Sequence, residues 1–247
     1  YDKTSFINNN SKKNKKIKIG FISPCFVDHS ISNTHKNFYL NLNKKIFETY
    51  VYHIDQENDE FTDYVKKNVD SFFQNSQIEA IIDKIKKDQL DVVVYIDIGM
   101  HPLMQILSCF RFAPVQINGN GQPVTSGFKK IDYVISSDFM EPPDSEKHYT
   151  EKLIKLSNSG QCYEEPKFLK EEKYQNKIPV LFNMQNLFKI LPEEDQVCIE
   201  LIKAIKNCEI WFMVARNTKA TKKFEGILNN IFNKNKIDFN KYIKLKK

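Results

Sequence analysis

Short runs of β-branched and aromatic residues alternate along this chain with longer amphipathic stretches. IKIGFIS (17–23), TYVYHI (49–54), DVVVYID (91–97), APVQIN (113–118) and DYVISS (132–137) have the length and composition of buried strands. Between them, residues 31–43, 59–68, 77–88 and 102–110 carry apolar side chains at three- and four-residue spacing. Ile78, Ile81, Ile82 and Ile85, with lysines on the opposite face, are the clearest case. Strand and helix alternating in this way predict an α/β fold, a parallel sheet with right-handed crossovers. Residues 1–16 read as a basic polar linker and 17–166 as a Rossmann-like half.

After a charged connector, KFLKEEKYQNK (167–177), a second unit of the same kind occupies 178–247. Its predicted elements are a strand PVLFNM (179–184), a helix from about Pro192 to Lys206, a strand EIWFMVA (209–215) and a helix near 219–233. Two clear strands are fewer than a whole Rossmann-like half needs, so this unit reads as an incomplete one.

Composition narrows the class. Of 247 residues, 41% are hydrophobic and 13% aromatic, too rich for disorder, and seven Gly with nine Pro exclude collagen-like repeats. The net charge of +6 sits at the ends: residues 1–20 carry +5 and residues 219–247 carry +7, leaving the middle mildly acidic. Only Arg111 and Arg216 among the 37 basic residues are arginine. Nucleic-acid readers favour arginine for bidentate contacts, so a nucleic-acid partner is not expected. The five cysteines (25, 109, 162, 198, 208) form no C-x-x-C pair, which argues against a zinc site or a disulfide framework. No apolar run is long enough to span a membrane and no signal peptide is visible, so no membrane partner is expected and the default location is cytoplasmic. The chain begins at Tyr1 rather than Met and reads as an excerpt of something longer.

Ligands of such folds gather where loops leave the carboxyl ends of the strands. The first of these loops, SPCFVDHSISNTH (23–35), sets Asp28 and His29 at a strand-to-helix turn, with Ser30 and Ser32 as candidate helix caps. His29 either donates to a phosphate or moves a proton, or is a satisfied loop histidine. The loop NGNGQPVTSG (118–127) has the glycines that let backbone approach a ligand, yet lacks the spacing and position of a dinucleotide fingerprint. In the second unit, FNMQNLFKILPEED (182–195) sets Lys189 just before a helix whose first turn contains Pro192. A lysine beside a helix N-terminus suits phosphates, although Glu193, Glu194 and Asp195 complement the same dipole without a ligand. His53, His101 and His148 read as structural, and Asp97, one acid at a strand end, is no metal motif.

The stretch DIGMHPLMQILSCFRFAPVQINGNGQPVTSGFKKIDYVISSDFMEPPDSEKHYTEKLIKL (97–156) resembles the catalytic region of the O-linked N-acetylglucosamine transferase family and its bacterial relatives. FVDHS (26–30) is similar to that family's loop with an active-site histidine, and FNMQNLFKILP (182–192) to its segment with a phosphate-contacting lysine. The three motifs stand in the family's order over roughly residues 17–215.

The resemblance implies a GT-B architecture and inverting, metal-independent transfer of GlcNAc or a hexose from a UDP-sugar to protein Ser/Thr, or Asn, with UDP-sugar as substrate and no cofactor. By it, His29 lies near acceptor and donor phosphates as the candidate catalytic base, Lys189 contacts the diphosphate, and Gln185 and Asn186 belong to the donor loop. Pro123, Thr125, Ser126 and Gly127 match a cleft turn that many bacterial relatives write G-H-P-x-T-T-G. Gln122 replaces its histidine, and glutamine hydrogen-bonds without carrying a proton charge. A non-catalytic remnant that keeps the half-fold, and a GT-B enzyme with a small-molecule acceptor, are the alternatives.

Overall fold

The computed structural model describes residues 15–161, 163, 177–215 and 217–246. The expected linker (1–16) and connector (167–177) lie outside them apart from residues 15, 16 and 177. The chain divides into two compact units, Tyr1–Pro166 and Lys167–Lys247.

In the first unit the strands Ile17–Ser23 (β1), Phe47–His53 (β2), Ser71–Gln74 (β3), Val92–Tyr95 (β4), Val115–Asn118 (β5), Tyr133–Ser137 (β6) and Lys152–Leu156 (β7) form one sheet. Its order is β3-β2-β1-β4-β5-β6-β7 and every pair is parallel. The crossovers carry helices Ser30–Leu40 (α1), Glu60–Asn68 (α2), Ile78–Asp88 (α3) and Pro102–Ser108 (α4).

The apolar stripes decide which face each helix covers. On one face Ile81 and Ile85 of α3 and Met104 and Leu107 of α4 pack with Ile22, Tyr52, Val93 and Tyr95 of the sheet. On the other, Tyr39 of α1 and Val65 of α2 pack with Phe21, Val51, Val94 and Ile96. Burying one such side chain contributes about 1.5–3 kcal/mol, so these two layers dominate the stability of the unit.

The second unit holds strands Val180–Asn183 (β8), Glu209–Met213 (β9) and Ile243–Lys246 (β10), parallel and in the order β10-β9-β8. Helices Glu194–Ile205 (α5), Thr218–Lys234 (α6) and Phe239–Tyr242 (α7) accompany them. Ile199, Ile202, Ile210, Phe212, Leu228 and Phe232 form the core.

Three strands escape the sequence pattern: β3, β7 and β10. Each is an edge strand of four or five residues. In KLIKL and IKLK the lysines that guard an exposed edge also break the apolar run by which buried strands are recognised. Among the described residues the second unit therefore has three strands, where the pattern showed two. Lys246 lies over the Trp211 ring, 4.0 Å from its centroid, so part of that edge is itself packed.

Candidate functional site

In this strand order β1 and β4 are neighbours whose following helices lie on opposite faces of the sheet. Such a switch point opens a crevice at the carboxyl ends of the two strands. Here the loops 24–29 and 96–101 meet, with the β5 loop beside them.

His29 is exposed and is itself the N-cap of α1, its Nδ1 accepting the Ile31 N–H at 3.2 Å. This corrects the expectation that Ser30 or Ser32 caps the helix. Ser30 is the first helical residue, and the Ser32 hydroxyl donates instead to the Cys25 carbonyl. An Nδ1 that accepts an N–H places the proton of neutral imidazole on Nε2. The loop is held from behind: the Asp28 N–H donates to Asp59 (2.5 Å) and the Thr62 hydroxyl donates to the Phe26 carbonyl (2.8 Å). Burial pushes the Asp59 carboxyl up, but the N–H groups of Asp28 and Thr62 hold it below its ordinary value.

Asp97, just beyond β4, is wholly buried at the switch point. The Ser23 hydroxyl donates to it and the Cys25 thiol lies 3.8 Å from its Oδ2, while Oδ1 has no partner. Burial outweighs those bonds and pushes its pKa up to about 6. Burial, together with the Asp97 charge, pushes the Cys25 thiol to about 12, which removes it as a nucleophile. The strand-end acid noted in the sequence is thus an ionisable group enclosed beneath the crevice; its visible signal was a carboxylate ending the apolar run VVVYI.

The β5 loop lies against the same place. The Gly119 N–H donates to the Tyr95 carbonyl and the Gly121 N–H to that of Ile96, both at 2.7 Å. A Cβ at Gly121 would sit 2.4 Å from the Ile96 oxygen and 3.0 Å from the Asp97 Cβ, so the approach requires glycine. Gln122 lies beside Gly99 of the β4 loop, and Pro123 is exposed. Thr125 and Ser126 bind Glu151, and Gly127 closes the turn at φ +69°. From α1, the buried His35 bonds the Gly119 carbonyl through Nε2 at 2.8 Å, and burial lowers its pKa. His29 and residues 119–122 therefore share one rim of one sheet, while Thr125 and Ser126 are bonded to Glu151 at the amino end of β7. Glu151 went unnoticed in the sequence because β7, which it precedes, did.

His53 is buried and bonds the Glu57 carbonyl at 2.7 Å, and His101 caps α4. Among the described residues no group of three or more His, Cys, Asp or Glu side chains comes together to hold a metal. Nor is any helix among them long and apolar enough to cross a membrane.

In the second unit Gln185, Asn186 and Lys189 are exposed on the segment after β8. Asn183 Oδ1 accepts the Gln185 N–H at 2.9 Å, and Leu187 inserts into the core to pin a single 3-10 turn, Leu187–Lys189. Pro192 stands two residues before α5 rather than within its first turn, because Glu194 and Asp195 bond back to the carbonyls of Leu191 and Pro192. Gln185 joins Leu181, Asn183, Val197, Leu201 and Phe212 in lining a cavity of about 610 Å³ between the sheet and α5; Lys189 and Asn186 are outside this lining.

The family model described as Glycosyl transferase family 41 matches residues 2–170. Among curated proteins, the chain is 27% identical over 209 residues to the probable UDP-N-acetylglucosamine–peptide N-acetylglucosaminyltransferase SPINDLY of Arabidopsis thaliana, covering 78% of this chain and 22% of that protein. It is 23% identical over 223 residues to the plant's probable transferase SEC, covering 81% and 22%. The chain thus spans about a fifth of the length of these relatives. Among solved structures, a mutant O-GlcNAc transferase of Thermobaculum terrenum superposes with a TM-score of 0.79 at 20% identity, covering 94% of this chain and 45% of that one. The fold is α/β and GT-B-like.

Proposed function

The chain belongs to glycosyl transferase family 41, and on that premise we propose that it is part of an enzyme transferring GlcNAc or a hexose from a UDP-sugar to Ser/Thr, or Asn, side chains of proteins. Family membership across residues 2–170, which take in His29 and the 122–127 turn, carries the reading. The curated relatives are named for a UDP-N-acetylglucosamine donor and a peptide acceptor. In the reaction, the acceptor oxygen bonds to the anomeric carbon as the bond from that carbon to the phosphate oxygen breaks. UDP leaves with the electron pair and the acceptor's proton passes to a base.

Lys189 contributes positive charge to the departing diphosphate, with Gln185 and Asn186 in the same loop. His29, its Nδ1 committed to the Ile31 N–H, acts as an Nε2–H donor to phosphate or acceptor oxygen rather than as the base. A non-catalytic protein is the second reading, favoured by Gln122 at a position where bacterial relatives carry an ionisable side chain. Calorimetric titration of UDP into the full-length gene product tests the proposal: Lys189→Ala is expected to weaken binding by about tenfold or more, the worth of one charge-assisted contact. Unchanged affinity would falsify the phosphate role, and UDP binding without sugar transfer supports the second reading.

A further inference from the structure

Two side chains of the α2 amino end serve the loop that carries His29. Asp59 and Thr62 form a capping box: Asp59 Oδ1 accepts the Thr62 N–H at 2.9 Å, and the Thr62 hydroxyl oxygen accepts the Asp59 N–H at 3.2 Å. Such a box satisfies helix donors and by itself needs no further partner. Here each side chain makes a second bond, and both go to the neighbouring loop. Asp59 Oδ2 accepts the Asp28 N–H at 2.5 Å, and the Thr62 hydroxyl donates to the carbonyl of the buried Phe26 at 2.8 Å. Of the bonds that hold the Asp59 carboxyl below its ordinary value against burial, the one from Asp28 counts for most.

The clasp stands at the crevice end of the sheet. β1 and β2 are parallel neighbours, so the loops that follow them, 24–29 and 54–59, leave by the same carboxyl-end rim. The Ile54 N–H, bonded to the Ser23 carbonyl at 3.1 Å, joins the two loops where they begin, and the Asp28–Asp59 bond joins them where they end. From Asp28 the chain enters α1 at once. Asp28 Oδ1 accepts from the Asn33 amide at 3.4 Å, the His29 carbonyl accepts the Asn33 N–H at 3.0 Å, and His29 Nδ1 accepts the Ile31 N–H. The exposed imidazole is thus set by a backbone whose preceding residue Asp59 holds.

We propose that Asp59 is a positioning residue for His29: one carboxylate oxygen caps α2 while the other clasps the Asp28 N–H, fixing the backbone that bears the imidazole. The proposal rests on the sugar-transfer reading, in which His29 meets phosphate or acceptor oxygen. The two duties separate by substitution. Serine caps a helix about as well as aspartate but has one side-chain oxygen, so Asp59→Ser keeps the cap and lacks the clasp. Asp59→Ala lacks both.

Measurements on the full-length gene product test it. In the NMR spectrum the Asp28 amide proton, bonded to a carboxylate, is expected downfield in the wild type and to move upfield in Asp59→Ser, with the His29 ring nitrogens shifting alongside. For transfer from UDP-GlcNAc to a Ser/Thr peptide, kcat/KM is expected to fall about tenfold or more in both variants, since small displacements near the reacting atoms are costly. The urea midpoint is expected to fall further in Asp59→Ala than in Asp59→Ser. An Asp28 amide that does not respond overturns the clasp. A responding amide with an unmoved His29 ring, or with kcat/KM within about twofold of the wild type, overturns the positioning role. Loss of transfer in Asp59→Ala alone, in step with its lower urea midpoint, confines Asp59 to capping and overturns that role as well. Absence of transfer by the unaltered protein overturns the sugar-transfer reading instead, while the amide and ring shifts still judge the clasp.

Discussion

Replacing Asp97 by Asn gives a prediction whose sign and size follow from the crevice floor. The folded protein holds the Asp97 proton up to about pH 6, whereas a solvated aspartate releases it near 3.8. Between those values the native state binds more protons than the unfolded chain, so stability falls as pH rises. About two pKa units at 1.36 kcal/mol each amount to about 3 kcal/mol, present below pH 4 and lost by pH 7. The asparagine carbonyl still accepts from Ser23 and Cys25, and its amide at the position of the unpartnered Oδ1 adds an offset that does not depend on pH. Asp59, Glu141 and Glu151, with lowered pKa values, and His35, also lowered, add pH dependence of their own, but equally in both proteins. The difference between the two urea-unfolding curves therefore isolates Asp97. Far-UV circular dichroism suits the measurement, since the single tryptophan, Trp211, lies in β9 and reports on the second unit. The wild type is expected to lose about 3 kcal/mol relative to Asp97→Asn between pH 4 and pH 7. Parallel curves across that range would refute the reasoning.

Gly121→Ala is expected to cost about 1–3 kcal/mol in a urea melt, the range for overpacking, because the new methyl meets the Ile96 carbonyl rather than a side chain that can turn away. His29 has two separable roles: His29→Ala should lower stability by about 1 kcal/mol through loss of the α1 cap, whereas His29→Asn keeps the cap. Both variants should lose sugar transfer; full activity in His29→Asn would confine the residue to capping. Ile199→Ala should destabilise the second unit by about 2–5 kcal/mol, read from Trp211 fluorescence, because Ile199 is completely buried between α5 and the sheet.

The interior of the fold was legible because burial writes itself as period. β1, β2, β4, β5 and β6 are runs of Val, Ile, Tyr and Phe, and α3 spaces its isoleucines every three or four residues. Edge strands β7 and β10 were not legible, since Lys152, Lys155, Lys244 and Lys246 interrupt the pattern where one side of the strand meets water, whereas β8, an edge strand with the run VLFN, was. The same division holds at the crevice. His29 and the 118–127 glycines stand out as residue types, but the capping role of His29 depends on backbone geometry at position 31, and the burial of Asp97 depends on Ser23, Cys25 and Gly121 from two other loops. Glu151 acts across 25 residues from a strand the pattern hides, so nothing local in THR–GLU–LYS marked it as the partner of Thr125 and Ser126.

Mass spectrometry of an acceptor tests the central claim most directly. A Ser/Thr peptide incubated with the full-length gene product and either UDP-GlcNAc or UDP-glucose is predicted to gain one sugar residue as one UDP is released, and Lys189→Ala to suppress both. A peptide of unchanged mass with either donor, under conditions where UDP binds, would contradict the sugar-transfer account.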